Sequence, residues 1–212
     1  MEITWYGHAC FRLRSSQATL VTDPFDRNVG YPLPRVRADI VTVSHGHSDH
    51  NYVQAIRGEP KIVEGPGEYE IKGVFITGIS SYHDAQRGAQ RGRNTIYLIE
   101  MEDMKICHLG DLGHMPEEDT LEALGDADII LIPVGGGPTI DGVQAAELVG
   151  LLNPKIIIPM HYQTEALRFR LQPLDGFLQE MAVEGVMPQT SLRITARTLP
   201  QETQVMILDY RR

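Results

Sequence analysis

Cysteine is scarce. Cys10 and Cys107 are the only two among 212 residues, so no disulfide framework is available. Both lie in apolar stretches, which marks them as buried thiols suited to a reducing compartment. Long hydrophobic runs are also missing. Those present, such as 129–132 and 156–158, fall far short of the ~20 residues that a membrane span needs. There is no basic excess either: 19 Lys and Arg stand against 28 Asp and Glu, a formal charge of −9. That disfavours a nucleic-acid partner, which would call for a basic footprint. The opening MEITWYGHACFRLRSS lacks a basic segment followed by an apolar one. No signal peptide is therefore expected, and a cytoplasmic location is. With 42% apolar residues, the chain reads as one globular domain over 1–212, long enough to bury a core unaided.

What is present is mostly strand. Runs at 3–6, 9–14, 19–23, 39–44, 61–64, 69–71, 74–79, 128–133, 155–160, 191–196 and 204–209 are rich in β-branched residues and bounded by Gly, Pro or Ser. Residues 94–101 and 105–109 read as a hairpin around 102–104. Helices come later. One is expected at 117–124 after Pro116, one at 142–152 with Asp141 as N-cap, and one at 174–183; a short turn is expected at 52–56. Two sheets face to face with helices outside satisfy this order.

Eight histidines stand out, three of them within six residues. In Ser44-His45-Gly46-His47-Ser48-Asp49-His50, the pair His45 and His47 lies two apart on extended chain and points one way. Gly46 lets the backbone turn, and Asp49 and His50 follow as the strand ends. Four ligand-type side chains thus leave one strand end, and imidazole with carboxylate suits zinc, manganese or iron. Further candidates recur at strand ends: His83, Asp111 and His161.

The order His-x-His-x-Asp-His, then His, then Gly-Asp, then His after an apolar strand resembles the metallo-β-lactamase superfamily. Trp5-Tyr6-Gly7-His8-Ala9, Thr22-Asp23-Pro24-Phe25 and the stretch from Pro133 to Asp141 are similar to its branch of small cytoplasmic metal-dependent hydrolases, which includes ascorbate-phosphate lactonases. The likeness runs from residue 1 to about 165. It implies an α+β fold, a four-layer αββα sandwich, with two divalent metal ions at one edge: zinc first, manganese or iron otherwise. By the same resemblance His45, His47 and His83 would hold one metal, Asp49, His50 and His161 the other, and Asp111 would bridge them. Two cations ~3.5–4 Å apart can share a water and supply hydroxide near neutral pH. The implied catalytic groups are Asp111, Asp49 as proton acceptor, and His8, which is expected either beside a ligand or against substrate. Asp23 would orient a ligand imidazole or form a turn.

The first functional reading is a hydrolase of a small lactone, ester, thioester, amide or phosphodiester. The alternatives are a nuclease of the same fold, a non-catalytic metal-binding regulatory protein and a di-iron oxidoreductase. Asp111, where β-lactamases of the superfamily commonly carry Cys or Ser, points away from antibiotic hydrolysis. Arg87, Arg91 and Arg93, interrupted by Gly88 and Gly92, would grip an anionic substrate or lie in solvent. His108 reads as structural, His114 as a solvated loop residue, and Tyr162 as a substrate donor or packing. A homo-oligomer is compatible with all of this.

Overall fold

Among the described residues, apolar β-branched runs broken by Gly and Pro become thirteen strands in two sheets. The structure is a computed structural model that describes residues 1–32 and 36–211. The first sheet contains β1 (Glu2–Gly7), β2 (Cys10–Arg14), β3 (Thr19–Thr22), β4 (Ile40–Val43), β5 (Lys61–Glu64) and β12 (Leu192–Arg193), in the order β12-β1-β2-β3-β4-β5. The second contains β6 (Gly67–Ile71), β7 (Val74–Tyr82), β8 (Arg93–Met101), β9 (Met104–His108), β10 (Ile129–Pro133), β11 (Ile156–Met160) and β13 (Gln204–Val205), in the order β13-β11-β10-β9-β8-β7-β6.

Alternation along the strands sorts side chains onto two faces. In β1 and β2, Ile3, Trp5, Phe11 and Leu13 join Tyr97, Ile99 and Ile106 of the second sheet in one core between the sheets. Tyr6 and Cys10 turn the other way, into a smaller cluster with Phe25, Val29, Tyr31, Ile56 and Leu167. The second sheet carries α1 (Glu118–Leu124), α2 (Gly142–Leu152) and α3 (Asp175–Glu180). Asp141 caps α2 through a reciprocal bond pair with Gln144, as its place in the sequence suggests. These layers form the αββα sandwich. Outside the first sheet, the described residues form chain with the 3₁₀ turn Val53–Ala55 rather than an α-helix.

Three expected elements are markedly shorter than their patterns. Of the 204–209 run only Gln204–Val205 forms a strand. The 191–196 run pairs only at Leu192–Arg193, because Thr195 and Thr198 bond each other's backbone and divert the chain into a 3₁₀ turn. The helix expected at 174–183 stops at Glu180: Ala182 takes φ +51° and Val183 N–H closes onto Leu178 O.

Direction matters more than count. β3, β4 and β5 are parallel, as are β9, β10, β11 and β13. Through antiparallel neighbours, β1 runs with β3 and β7 runs with β9. The C-terminal ends of β1, β3, β4, β7, β9 and β11 therefore deliver His8, Asp23, His45 to His50, His83, Asp111 and His161 to one rim. The two sheets are tied there: Thr95 N–H donates to Ser44 O at 2.8 Å, and the Tyr97 hydroxyl donates to Val43 O at 2.7 Å.

Candidate metal centre

Asp111 stands in the middle of the rim. Its Oδ2 lies 3.1 Å from His83 Nε2, 3.2 Å from His50 Nε2 and 3.9 Å from His45 Nε2, and its Oδ1 lies 3.3 Å from His161 Nε2. Gly110 brings the chain there at φ +55°, where a Cβ would fall 2.5 Å from Asn94 Oδ1 and 2.6 Å from Ser44 Cβ. Asn94 completes the seat. Its Oδ1 accepts from Asp111 N–H at 3.0 Å, while its Nδ2 donates to Leu109 O and Ser81 Oγ.

A second layer of bonds sets the imidazole tautomers. Asp23, wholly buried at φ +37°, accepts from Ser44 N–H at 2.7 Å and Ser44 Oγ–H at 2.6 Å, and from His50 Nδ1 at 2.9 Å. With its hydroxyl proton directed at Asp23, Ser44 Oγ can only accept from His45 Nδ1, 2.9 Å away. His83 Nδ1 donates to Pro138 O at 3.0 Å. In His45 and His83 the proton sits on Nδ1, so the Nε2 lone pair turns towards Asp111, and in His50 the bond to Asp23 fixes the ring with Nε2 facing the same carboxylate.

Lone pairs facing a carboxylate repel unless a cation lies between them. His45 Nε2, His50 Nε2, both nitrogens of His8, His161 Nδ1 and Asp111 Oδ1 are buried without hydrogen-bond partners, six of the nine such side-chain atoms among the described residues. Ligand atoms of His45, His47 and His83 lie within 4.8 Å of one another, as do those of His8, His50 and His161, and those of His45, Asp49 and His50. The N and O donor set fits a divalent transition metal.

Charges agree with this. Burial holds the His45 imidazole down to about 3, with His50 adding to the effect, and holds His8 down to about 4, with His161 adding. His47 is lowered by burial and by His83. Burial opposes a charge on His50, but Asp111 and Asp23 outweigh it and raise the pKa well above the ordinary value. Burial likewise opposes ionisation of Asp111, and His161 and His50 reverse it, leaving the carboxyl well below its usual range.

A cavity of about 250 Å³ opens over this rim, lined by His47, Asp49, His83, Asp111 and His161 on the floor and by Arg91, Pro138, Phe169, Arg170 and Leu171 around the mouth. Larger clefts of about 550, 660 and 760 Å³ lie elsewhere and contain no histidine.

The structure separates the remaining candidates. Of the three arginines only Arg91 lines the cavity. Arg87 lies 3.6 Å from Glu117 in solvent, and Arg93 is exposed on β8. Arg91 is held by a loop in which the Asp84 carboxylate accepts four backbone N–H groups, including its own at 2.8 Å. His114 is not a solvated loop residue: Nε2 accepts from Tyr82 N–H and Nδ1 donates to Met115 O. Tyr162 packs against Trp5 at 5.3 Å and lines no part of the cavity. His108 donates to Ala9 O across the sandwich. Ser44, Asn94, Phe169 and Arg170 were not apparent from sequence. A polar Asn heading the apolar strand β8 was the one available signal.

Residues 2–161 match the family described as the Beta-lactamase superfamily domain. A UPF0173 metal-dependent hydrolase of Thermoplasma acidophilum is 34% identical over 194 residues, covering 77% of this chain and 84% of the relative. A solved Thermotoga maritima structure, described as a candidate Zn-dependent hydrolase of the metallo-beta-lactamase superfamily, is 39% identical with a TM-score of 0.81, covering 98% of this chain and 97% of that one. The isothiocyanate hydrolase from Delia radicum gut bacteria shares the fold at 18% identity, with a TM-score of 0.73 and coverage of 92% and 100%.

Proposed function

The chain belongs to the beta-lactamase superfamily, and from that premise we propose that residues 1–212 form one metal-dependent hydrolase domain acting on a small anionic substrate. His45, His47 and His83 would hold one cation and Asp49, His50 and His161 a second, with Asp111 shared between them. The observation that carries the reading is the shared carboxylate: Asp111 Oδ2 is 3.1 Å from His83 of one set, and Oδ1 is 3.3 Å from His161 of the other. Zinc is the favoured metal, in keeping with the Thermotoga relative, with manganese and iron compatible with the same donors. Bound there, such cations supply Lewis acidity and bring the pKa of a water they hold towards neutrality.

The chain's own residues do the rest. Asp23, Ser44 and Pro138 O orient the imidazoles. Burial would raise the Asp49 pKa, but His8 and His50 hold the carboxyl well below its usual range, so it is ionised and able to receive a proton at the cavity floor. Arg91 and Arg170 place two guanidinium groups at the mouth, suited to carboxylate or phosphate. Phe169, Leu171 and Pro138 supply apolar walls. A 250 Å³ cavity is at the small end for ligand pockets, which favours a compact lactone, ester, thioester, amide or phosphodiester over a polynucleotide.

Elemental analysis of protein purified without chelator, followed by rates on a lactone, a thioester, bis-nitrophenyl phosphate and nitrocefin, tests the reading. Up to two equivalents of metal and chelator-sensitive turnover of a small substrate are expected. Failure to take up metal after reconstitution would overturn it.

A further inference from the structure

One buried histidine holds no metal in that scheme. His8 is 1% exposed, and neither ring nitrogen has a hydrogen-bond partner. It is not part of the cavity lining, and its ring meets that of Phe169 in a T-shaped contact with centroids 5.5 Å apart. A substrate-contacting role is therefore closed to it. Yet a buried imidazole with both nitrogens unpartnered is costly unless something binds it.

Resting on the metal-centre reading above, we propose that His8 is a direct ligand of the second cation. His8, His50 and His161 then form a three-imidazole set opposite His45, His47 and His83. The ligand atoms of His8, His50 and His161 all lie within 4.8 Å of one another. His8 Nε2 is 3.4 Å from Asp49 Oδ2 without making a hydrogen bond. With His8 the second cation would have five protein donors, and bonds of about 2.0–2.1 Å put neighbouring donors of a five-coordinate site about 2.9–3.6 Å apart. The His8–Asp49 separation is thus that of two corners of one coordination polyhedron. His161 Nε2 to Asp111 Oδ1, at 3.3 Å, repeats it.

The backbone is built to hold His8 and His161 as a unit. The Trp5 indole N–H donates to His8 O at 2.9 Å, and His161 N–H reaches the same oxygen at 3.3 Å. The two rings lie with centroids 4.3 Å apart and planes tilted by 35°. Both residues take left-handed backbone, φ +53° and +51°, which non-glycine residues adopt only when their surroundings enforce it. Before His8, Gly7 sits at φ +105°, where a Cβ would lie 2.4 Å from the Tyr31 ring. Trp5, Gly7 and His8 of the opening motif thereby acquire one function, the delivery of an imidazole to the second site.

The test counts imidazole ligands directly. In protein loaded with two equivalents of Co(II), each ligating imidazole gives a paramagnetically shifted ring N–H proton resonance. Six such signals are expected, one from each histidine of the two sets. His8→Asn, which tolerates the left-handed backbone, should lose one signal and bind the second equivalent about 100-fold more weakly, while the first is unchanged; a loss of this size matches or exceeds what orienting residues cost. Five signals in the fully loaded wild type, or all wild-type signals retained in His8→Asn, would overturn the role of His8 and leave the hydrolase reading standing. No cobalt uptake by the wild type would bring down both. Should His8→Asn fail to fold, the wild-type count alone decides.

Discussion

The Asp23 carboxylate accepts from His50 Nδ1 at 2.9 Å, although the two residues are 27 positions apart and neither is exposed. The same carboxylate takes both protons of Ser44 and, through that hydroxyl, fixes His45. One residue therefore sets the tautomer of an imidazole in each proposed ligand set. Asp23→Asn keeps the shape but leaves one oxygen to serve three donors. A buried donor without a partner costs about 1–3 kcal/mol of stability, and loss of such an orienting partner weakens metal retention about 10- to 100-fold. Thermal melts and equilibrium dialysis of the variant check both figures, and wild-type metal retention would refute the orienting role.

Asp111 distinguishes the two sets from the bridge. Asp111→Ala should abolish turnover while leaving one equivalent of metal at His45, His47 and His83. His47→Ala should lower occupancy at that set. Metal content measured beside activity separates these outcomes, and two tightly held equivalents in Asp111→Ala would contradict the bridging role. Nitrocefin turnover should stay far below that of the best substrate in the wild type.

Why the ligand set was legible and its support was not is a matter of chemistry. His45, His47, Asp49 and His50 leave one strand end together, and their types cannot serve a core, so the motif announces itself. His83, Asp111 and His161 follow apolar strands whose parallel directions place them on the same rim. Asn94 and Ser44 do their work by backbone hydrogen bonds across 17 and 21 residues, and nothing local distinguishes them from other polar residues. The inner strands of both sheets were readable because burial on both faces demands continuous β-branched runs. The outer layer of the first sheet was not, because Phe25, Val29 and Tyr31 pack there without helical periodicity. Arg170 and Phe169 reach the cavity on an irregular segment that no pattern singles out.

Arg91 and Arg170 carry the expectation of an anionic substrate. A charge-assisted contact is worth about 1.5–3 kcal/mol, or roughly 10- to 150-fold in kcat/KM. Arg91→Ala and Arg170→Ala should each lose that much on an anionic substrate and little on a neutral one with the same scissile bond. Arg87→Ala should leave both rates unchanged, since Arg87 faces Glu117 in solvent at 3.6 Å. Equal small losses on both substrates would remove the guanidinium groups from the recognition argument.

The same buried charges predict how the metal-free protein responds to acid. His45 at about 3, His8 at about 4 and the lowered His47 bind protons less readily when folded than in the unfolded chain, where histidine titrates at about 6.5. As pH falls below 6.5 the unfolded state takes up protons that the folded state refuses, so stability declines. Asp23 and Asp111 are held below the ordinary carboxylate value, Asp111 by His161 and His50 against the opposing effect of burial, and Asp23 by its bond to His50. Their contribution is present above that value and is lost below it, which steepens the decline under about pH 4. His50 works the other way. Its raised pKa gives a contribution already complete below 6.5, so it is level across the acid range and cannot offset the fall. Melting temperatures of chelated protein should therefore decline from about pH 6.5 downward, and zinc at saturating concentration should lift the curve more near neutrality than in acid, since His45, His8 and His47 carry no competing proton there and only His50 must release one. A melting temperature of the chelated protein that stays level to pH 4.5 would mean that these imidazoles are not held neutral by burial.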